Sequence, residues 1–226
     1  MILYGKRIFE YLLSKHPQKI KRLYLSKKPE GAVERKLKKL SIPIVYIDNK
    51  KAQSLARGGN HQGYLVETEE YSYADWESVK NGDFTVVLWG VTDIGNIGSI
   101  IRTSYALGVD SVILTGIKSS NPSGFIRTSS GAALDMEVAL FPDGYDLINR
   151  LKTSGFALYC STLEGGDIRT IRFGGKRALV LGSEGEGVPK KVEKSCDYLV
   201  KIEMARDFDS LNVSAAAAIM IDRMRQ

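Results

Sequence analysis

The segment Leu179–Val188 reads Leu-Val-Leu-Gly-Ser-Glu-Gly-Glu-Gly-Val, and it decides how the second half of the chain is interpreted. Its aliphatic residues, preceded by Ala178, predict a short buried strand. Gly182, Gly185 and Gly187 follow within six positions, so the chain leaves this strand through a loop that can take positive φ angles. An ordinary glycine-rich turn fits these residues, and so does a loop whose backbone amides contact a ligand.

The charge of this loop narrows the kind of ligand that it could bind. Glu184 and Glu186 argue against a polyphosphate, and the Gly-Lys-Ser/Thr ending of a nucleotide triphosphate loop is missing. The spacing is also not the Gly-x-Gly-x-x-Gly of a dinucleotide-binding helix, which disfavours a nicotinamide-dependent oxidoreductase. The sequence therefore favours a cationic or neutral ligand.

The composition of the 226 residues, 43% hydrophobic and 26% charged, is that of a soluble globular protein. No apolar run approaches the roughly 18 residues of a membrane span, and the first residues lack the order of a signal peptide. Cys160 and Cys196 fit neither a disulfide framework nor a zinc motif. We therefore expect a cytoplasmic protein without a bound metal or a membrane partner.

The positive charge is concentrated in the first third of the chain. Residues 1–70 hold 15 Lys and Arg against 7 Asp and Glu, whereas the whole chain has a net charge of +6. The densest runs are 19–22, 27–28 and 35–39, the last reading Arg-Lys-Leu-Lys-Lys. A solvated face is the common explanation, but this excess favours binding of nucleic acid through phosphates, without sequence preference.

Hydrophobic patterning divides the chain into two α/β parts. Residues 1–68 predict a small basic module with strands expected at 20–25 and 42–47, residues 69–83 a linker, and residues 84–226 a larger domain. In the larger domain the expected strands are 85–89, 111–115, 138–140, 157–161, 178–181 and 198–202. Helices are expected at 97–107, 144–154, 188–194 and 211–224. This alternation predicts a mostly parallel sheet, with ligands bound outside the carboxyl ends of its strands.

Two further loops carry polar residues at strand or helix ends. In residues 93–102, Asn96 could cap a helix, and Arg102 could be a surface charge or form a salt bridge. In residues 209–214, Ser210 or Asn212 could cap the last helix. The alanines at 215–218 suggest close packing against another backbone, within the chain or across a dimer.

Taken together, the three loops resemble the SpoU branch of the SPOUT methyltransferases. The family motif Asn-x-Gly-x-x-x-Arg is present as Asn96, Gly98 and Arg102. The family motif Leu-Gly-x-Glu-x-x-Gly is present as Leu181, Gly182, Glu184 and Gly187, and Ser-Leu-Asn-Val-Ser occupies 210–214. His61-Gln62-Gly63 is similar to a tripeptide of the subfamily that modifies large-subunit ribosomal RNA, and Ser129-Ser130-Gly131-Ala132 is similar to the family's Ser-x-Gly-Ala.

The resemblance implies an RNA-binding module followed by an α/β-knot catalytic domain, in which the mostly parallel sheet carries a trefoil knot. It also implies a homodimer through the C-terminal domain and S-adenosylmethionine held by backbone groups. The implied cofactor contacts are Gly182, Ile202, Met204 and Leu211. The implied catalytic residues are Arg102, Asn96, Glu184, Ser210 and Asn212.

Each implied catalytic residue has an expected role. Arg102 would orient a phosphate and stabilise the forming alkoxide, Asn96 would orient Arg102 or the substrate, and Glu184 would pair with Arg102 or bond loop amides. Ser210 and Asn212 would shape the pocket. The sequence departs from the family pattern at Glu203, which replaces a proline, at Arg206, which replaces a small residue, and at Ile94, which replaces another proline.

The expected activity is methyl transfer from S-adenosylmethionine to a ribose 2′-hydroxyl of RNA. The basic module and the His-Gln-Gly tripeptide favour a guanosine of 23S ribosomal RNA as the target. The alternatives are a transfer RNA 2′-O-ribose methyltransferase and a non-catalytic RNA-binding member of the family.

Overall fold

The chain folds into two compact units in a computed structural model that describes residues 1–29, 31–38, 40–207 and 210–225. The first unit takes its residues from 1–72 and 122–131, and the second from 73–121 and from 132 onward. The predicted boundaries at residues 68 and 84 stay a prediction.

A four-stranded sheet forms the first unit. Its elements are β1 (Ile2–Tyr4), α1 (Lys6–Lys15), β2 (Ile20–Leu25), α2 (Gly31–Leu37), β3 (Ile44–Tyr46), α3 (Asn49–Leu55) and β4 (Tyr64–Thr68). The strand order is β1-β4-β2-β3, with β2 and β3 parallel and the other two pairs antiparallel. The predicted strand at 20–25 is confirmed, whereas the predicted strand at 42–47 is shorter at both ends.

Two elements of the first unit lacked a sequence signal. Strand β1 has only three residues and is stabilised by pairing with β4, whose partner residues lie 61 to 65 positions later in the chain. Helix α6 (Pro122–Thr128) lies between strands of the second unit in sequence, yet it belongs to the first. Its Phe125 meets the ring of Tyr71 edge-on at 5.4 Å, and Arg127 stacks over Tyr4.

The second unit is built on a six-stranded sheet. Its first elements are α4 (Trp76–Lys80), β5 (Phe84–Trp89), α5 (Ile94–Ala106), β6 (Ser111–Thr115), β7 (Glu137–Phe141) and α7 (Gly144–Thr153). They are followed by β8 (Ala157–Asp167), β9 (Arg177–Gly182), α8 (Lys190–Glu193), β10 (Tyr198–Lys201) and α9 (Val213–Met224). The strand order is β10-β8-β9-β5-β6-β7, and every neighbouring pair is parallel.

The core of this unit follows from the aliphatic strands that the sequence predicted. All six residues of β5 and all five of β6 are buried, because helices can cover both faces of a parallel sheet. Residues on β8 and β9, such as Leu158 and Val180, continue the same core toward α7 and α8. The predicted mostly parallel sheet is confirmed, and its central strands end at the loops described below.

Strand β8 is longer than predicted, extending to Asp167 rather than ending at residue 161. Its second half pairs with β10 after a register shift between Leu199 and Val200. At Gly165 a side chain would meet the backbone nitrogen of Val200 at 2.5 Å, so glycine permits this close approach. In the described part of the chain, none of the helices is long and apolar enough to cross a membrane.

Candidate functional site

Numbered in chain order, the first loop is residues 93–102, the second is residues 182–188 and the third is residues 209–214. The first two leave adjacent strands at the same edge of the sheet. Trp89, the last residue of β5, is paired in register with Gly182, the last residue of β9. Since the strands are parallel, the loops before α5 and after β9 begin side by side. The residues of the Asn96 motif and of the Glu184 motif are thereby brought to one place.

The first loop ends in a capped helix. Asp93 is the N-cap of α5, and its carboxylate accepts the backbone N–H of Asn96 at 2.7 Å. The suggestion that Asn96 caps this helix is therefore wrong, because the cap lies three residues earlier. The sequence does contain a signal for this cap, because Asp is a preferred N-cap residue and Asp93 lies three positions before the N–H that it accepts. The side chain of Asn96 is consequently free to bond elsewhere.

The second loop is a tight turn closed on its own backbone. The N–H of Gly187 donates to the carbonyl of Ser183 at 2.9 Å. A Cβ on Gly182 would lie 2.1 Å from the carbonyl carbon of Gly187, so only glycine fits there without displacing the turn. The glycines thus build a compact turn that presents the side chain of Glu184 to solvent.

The third loop leads into α9. Asn212 is the N-cap of this helix, accepting the N–H of Ser214 at 2.9 Å and its hydroxyl at 2.6 Å. Of the two predicted candidates for the cap, Asn212 is therefore the residue used. Ser210 is exposed, two positions before the cap. Asp209, where the predicted loop begins, lies outside the described residues.

One carboxylate oxygen joins the three loops. Glu184 Oε1 accepts the amide of Asn212 at 2.6 Å, the amide of Asn96 at 3.4 Å and the backbone N–H of Val213 at 3.4 Å. The Asn212 amide also donates to Asn96 Oδ1 at 3.0 Å. The structure thus brings together Asn96, Glu184 and Asn212 from positions up to 116 residues apart.

Arg102 lies on the same helix as Asn96 but outside this network. Six residues of α-helix separate the two, which is about 9 Å along the axis. Arg102 is exposed, whereas Ile100 and Ile101 beside it are buried. Among the described residues Arg102 forms no ion pair, so the suggested pairing with Glu184 is absent and the guanidinium is available to a ligand.

The four residues expected to contact the cofactor come from two parts of the second unit. Gly182 and Leu211 belong to the second and third loops, while Ile202 and Met204 follow β10, two strands from β9. Ile202, Met204 and Leu211 are all half-buried. Partly exposed apolar side chains beside a polar loop suit a nucleoside that carries a neutral or cationic group. These residues therefore fit the adenosine and sulfonium of S-adenosylmethionine.

The departures from the family pattern have visible environments. Glu203 forms an ion pair with Lys201 at 3.0 Å, and Arg206 is exposed. The charge of Glu203 is thus balanced by a neighbour on β10. In the described ranges, no group of three or more His, Cys, Asp or Glu side chains could hold a metal ion.

Comparison with known families assigns both parts of the chain. The family described as "SpoU rRNA Methylase family" matches residues 83–222. A second family, described as "RNA 2'-O ribose methyltransferase substrate binding", matches residues 2–74.

Individual relatives span almost the whole chain. An "uncharacterized tRNA/rRNA methyltransferase" of Borreliella burgdorferi is 30% identical over 90% of this chain and 96% of its own length. The "23S rRNA (guanosine-2'-O-)-methyltransferase RlmB" of Haemophilus ducreyi is 29% identical over 97% of this chain and 94% of its own.

Solved structures agree with these relatives. A crystal structure of an AdoMet-bound rRNA methyltransferase from Sinorhizobium meliloti is 26% identical, with a TM-score of 0.79 over 99% of this chain and 86% of that chain. The SpoU methyltransferase AviRb of Streptomyces viridochromogenes, solved with AdoMet, shares the fold at 21% identity, with a TM-score of 0.81 over 100% of this chain and 89% of that chain. The motifs, the bonded loops and these matches lead to one conclusion: the chain belongs to the SpoU rRNA methylase family of RNA methyltransferases.

Proposed function

We propose that this protein transfers a methyl group from S-adenosylmethionine to a ribose 2′-hydroxyl of RNA. The observation that carries the proposal is the bonded set of Asn96, Glu184 and Asn212, which joins the three family motifs beside the helix of Arg102. The relatives solved with AdoMet support the choice of methyl donor.

The residues of this chain would divide the work between them. S-adenosylmethionine, when bound, supplies the methyl group as an electrophilic carbon. Arg102 supplies a planar, positively charged guanidinium. It orients the phosphate next to the target ribose and stabilises the negative charge that develops on the 2′-oxygen. A phosphate oxygen or a water molecule accepts the proton.

The polar network has a positioning role in this proposal. In the described part of the chain, only Oε1 of Glu184 receives hydrogen bonds, so Oε2 can accept one from a bound hydroxyl or amine. Asn96 and Asn212 hold the carboxylate in place, and the exposed Ser210 precedes Asn212 by two positions and would help to shape the pocket. Gly182, Ile202, Met204 and Leu211 would contact the cofactor.

The proposed target is a guanosine of 23S ribosomal RNA. The Haemophilus ducreyi relative is named for this reaction, and the N-terminal residues match a substrate-binding family. The basic charge of residues 1–70 supports contact with RNA phosphates. We place the protein in the cytoplasm, where its two thiols would stay reduced.

A homodimer through the C-terminal domain and a trefoil knot in that domain also form part of the proposal. Helix α9 offers a surface for the dimer, because Ala215 and Ile219 are exposed on it, the latter by 45%. A second copy covering this apolar side would remove it from water. Sedimentation analysis of wild type and of Ile219→Asp would test the dimer, and a monomeric wild type would refute it.

Two experiments test the proposal: the activity of Arg102 variants, and a map of ribose methylation in cellular RNA. Arg102→Ala should abolish methylation while leaving S-adenosylmethionine affinity, measured by calorimetry, close to wild type. Arg102→Lys keeps the charge but loses the planar fork, so we expect it to rescue only part of the activity. Ribose methylation mapped in RNA from cells with and without the protein identifies the nucleotide. Unchanged turnover in Arg102→Ala would remove this residue from the mechanism. If the ribose methylation lost in cells without the protein lay in transfer RNA, the substrate would be transfer RNA and not 23S ribosomal RNA.

A further inference from the structure

An open cavity of about 510 Å³ lies on the first unit, at the carboxyl ends of the parallel strands β2 and β3. It is lined by Leu25, Ser26, Lys27, Lys28, Tyr46 and Ile47. Leu25 and Tyr46 are paired in register, so both strands end at its floor. Its volume is in the range of sites that hold small ligands.

The chemistry of the lining is aromatic and cationic. The side chain of Tyr46 is 66% exposed, more than any exposed tyrosine of the second unit. Lys27 and Lys28 are exposed next to it. An open aromatic ring offers a stacking face for a nucleobase, and ammonium groups at the same opening attract phosphate.

The His61-Gln62-Gly63 turn sets the position of one of these lysines. Gly63 has a φ of +85°, and a Cβ there would lie 2.6 Å from Lys27 Cγ, so the stem of Lys27 lies directly on the glycine. The Lys27 ammonium is 4.9 Å from the centre of the Tyr64 ring. The N–H of Ser26 donates to the Gly63 carbonyl at 3.1 Å. The turn therefore holds Ser26 and Lys27, two residues that line the cavity, in position.

The turn itself is fixed from within. Nδ1 of the buried His61 accepts the N–H of Gly63 at 3.0 Å, and the amide oxygen of Gln62 accepts the N–H of Lys6 at 3.0 Å. Both bonds are local to the first unit. A lysine held in this way loses less freedom on binding than a fully mobile one.

We propose that this cavity binds one unpaired nucleotide of the RNA substrate, with its base stacked on Tyr46 and its phosphate contacted by Lys27 and Lys28. The inference rests on the proposed function for the identity of the substrate as RNA. The proposal adds a nucleotide-binding site on the first unit, made of residues other than those of the methyl-transfer loops. This site requires that the RNA be single-stranded where it contacts Tyr46.

Binding of a single-stranded RNA oligonucleotide that contains 2-aminopurine tests the proposal. Tyr46→Ala should weaken binding about tenfold and abolish the fluorescence quenching that stacking causes, whereas Tyr46→Phe should restore both. The salt dependence should stay unchanged in Tyr46→Ala, because stacking releases no counterions. Lys28→Ala should instead remove one phosphate contact, so the slope of log affinity against log salt concentration should become shallower by about 0.7.

Two controls make the outcome specific. Tyr145→Ala removes a tyrosine of the second unit that is 45% exposed, and we expect no change in affinity. A fully paired duplex of the same sequence should bind Tyr46→Ala and wild type equally. Equal binding of the single strand to wild type and Tyr46→Ala, or an equal loss for the duplex, would overturn the proposal.

The result can be separated from the fate of the proposed function. Loss of stacking in Tyr46→Ala, in a protein whose wild type neither binds S-adenosylmethionine nor methylates RNA, would support the cavity and refute the enzyme. Methylation by a wild type whose single-strand affinity does not depend on Tyr46 would refute the cavity alone.

Discussion

Among single residues, Gly182 has the most restricted surroundings in the second loop. The Cβ of an alanine there would lie 2.1 Å from backbone carbon of Gly187, which cannot yield as a flexible side chain could. We expect Gly182→Ala to displace the turn, to lower stability by about 1–3 kcal/mol and to weaken S-adenosylmethionine binding at least tenfold. Thermal unfolding and calorimetry measure both effects.

Gly185 provides the matched control in the same turn. No atom lies within 4 Å of a Cβ built on it. Gly185→Ala should therefore change stability by less than about 0.5 kcal/mol. If Gly182→Ala and Gly185→Ala behaved alike, the close approach of Gly182 to Gly187 would not be what holds the loop.

The two cysteines belong to the core of the second unit, where Cys160 is buried and Cys196 packs against the same cluster. The neighbouring thiol of Cys196, together with burial, raises the pKa of Cys160. The thiol of Cys160 in turn lowers the pKa of Cys196, which is half-buried. The thiolate of Cys196 therefore forms at a lower pH than that of an ordinary cysteine, and the thiol of Cys160 persists to higher pH.

Alkylation by iodoacetamide at increasing pH tests this assignment, because only the thiolate reacts. Cys196 should be modified first in wild type, and Cys160→Ala should move its half-maximal rate to higher pH by removing the donor. Cys160→Ser, which keeps a donor, should shift it less. A midpoint that does not move in Cys160→Ala would contradict the effect of the Cys160 thiol on the pKa of Cys196.

Among the helices, α9 depends on Asn212 for two separate contacts. The side chain caps the helix and also donates to Glu184 and Asn96. Asn212→Ala should lose both contacts, with the lost cap costing about 1 kcal/mol and lowering the melting temperature by roughly 2–4 °C. It should also weaken cofactor binding, measured by calorimetry.

Asn212→Ser separates these contacts, because serine is a good cap but has no amide to reach Glu184. We expect Asn212→Ser to recover the melting temperature but not the affinity for S-adenosylmethionine. Full recovery of affinity by the serine variant would mean that the bridge to Glu184 is dispensable.

At the level of helices and strands, the sequence predicted those elements whose limits are set by the local pattern of aliphatic and turn residues. The strands at 20–25 and 111–115 have the predicted limits, because aliphatic runs bounded by turn residues define them. Helix α6 was missed, since Pro-Ser-Gly-Phe-Ile-Arg-Thr has no apolar period and depends on tertiary contacts. The partners of Glu184 lie 28, 29 and 88 residues away, so the motifs could identify the residue but not its hydrogen bonds.

For the whole molecule, the uneven charge implies that RNA affinity depends on salt. Lys36 donates to the hydroxyl of Ser14, and Lys38 pairs with Glu34 while 73% exposed, so both lie at the surface near the end of α2. Lys39, which shares their run, lies outside the described residues. Replacing Lys36 and Lys38 by alanine should weaken RNA binding and flatten its salt dependence by roughly 1.5 in slope.

Lys190 and Lys194 of the second unit serve as the charge-matched control. Lys190 is paired with Glu193 at 3.0 Å, the same distance that joins Lys38 to Glu34. Replacing this pair of lysines should leave the slope of affinity against salt nearly unchanged. An undiminished slope in the Lys36 and Lys38 variant would place the RNA contact elsewhere.

The return of residues 122–131 to the first unit has a consequence for synthesis of the chain. The first 72 residues leave the ribosome without α6, whose Phe125 and Ile126 are fully buried in the finished protein. Strands β5 and β6 must therefore be translated before the N-terminal part can complete its own packing. A nascent chain arrested before residue 122 should remain sensitive to protease, and an N-terminal fragment ending in the predicted linker should gain resistance when a peptide of residues 122–131 is supplied in trans.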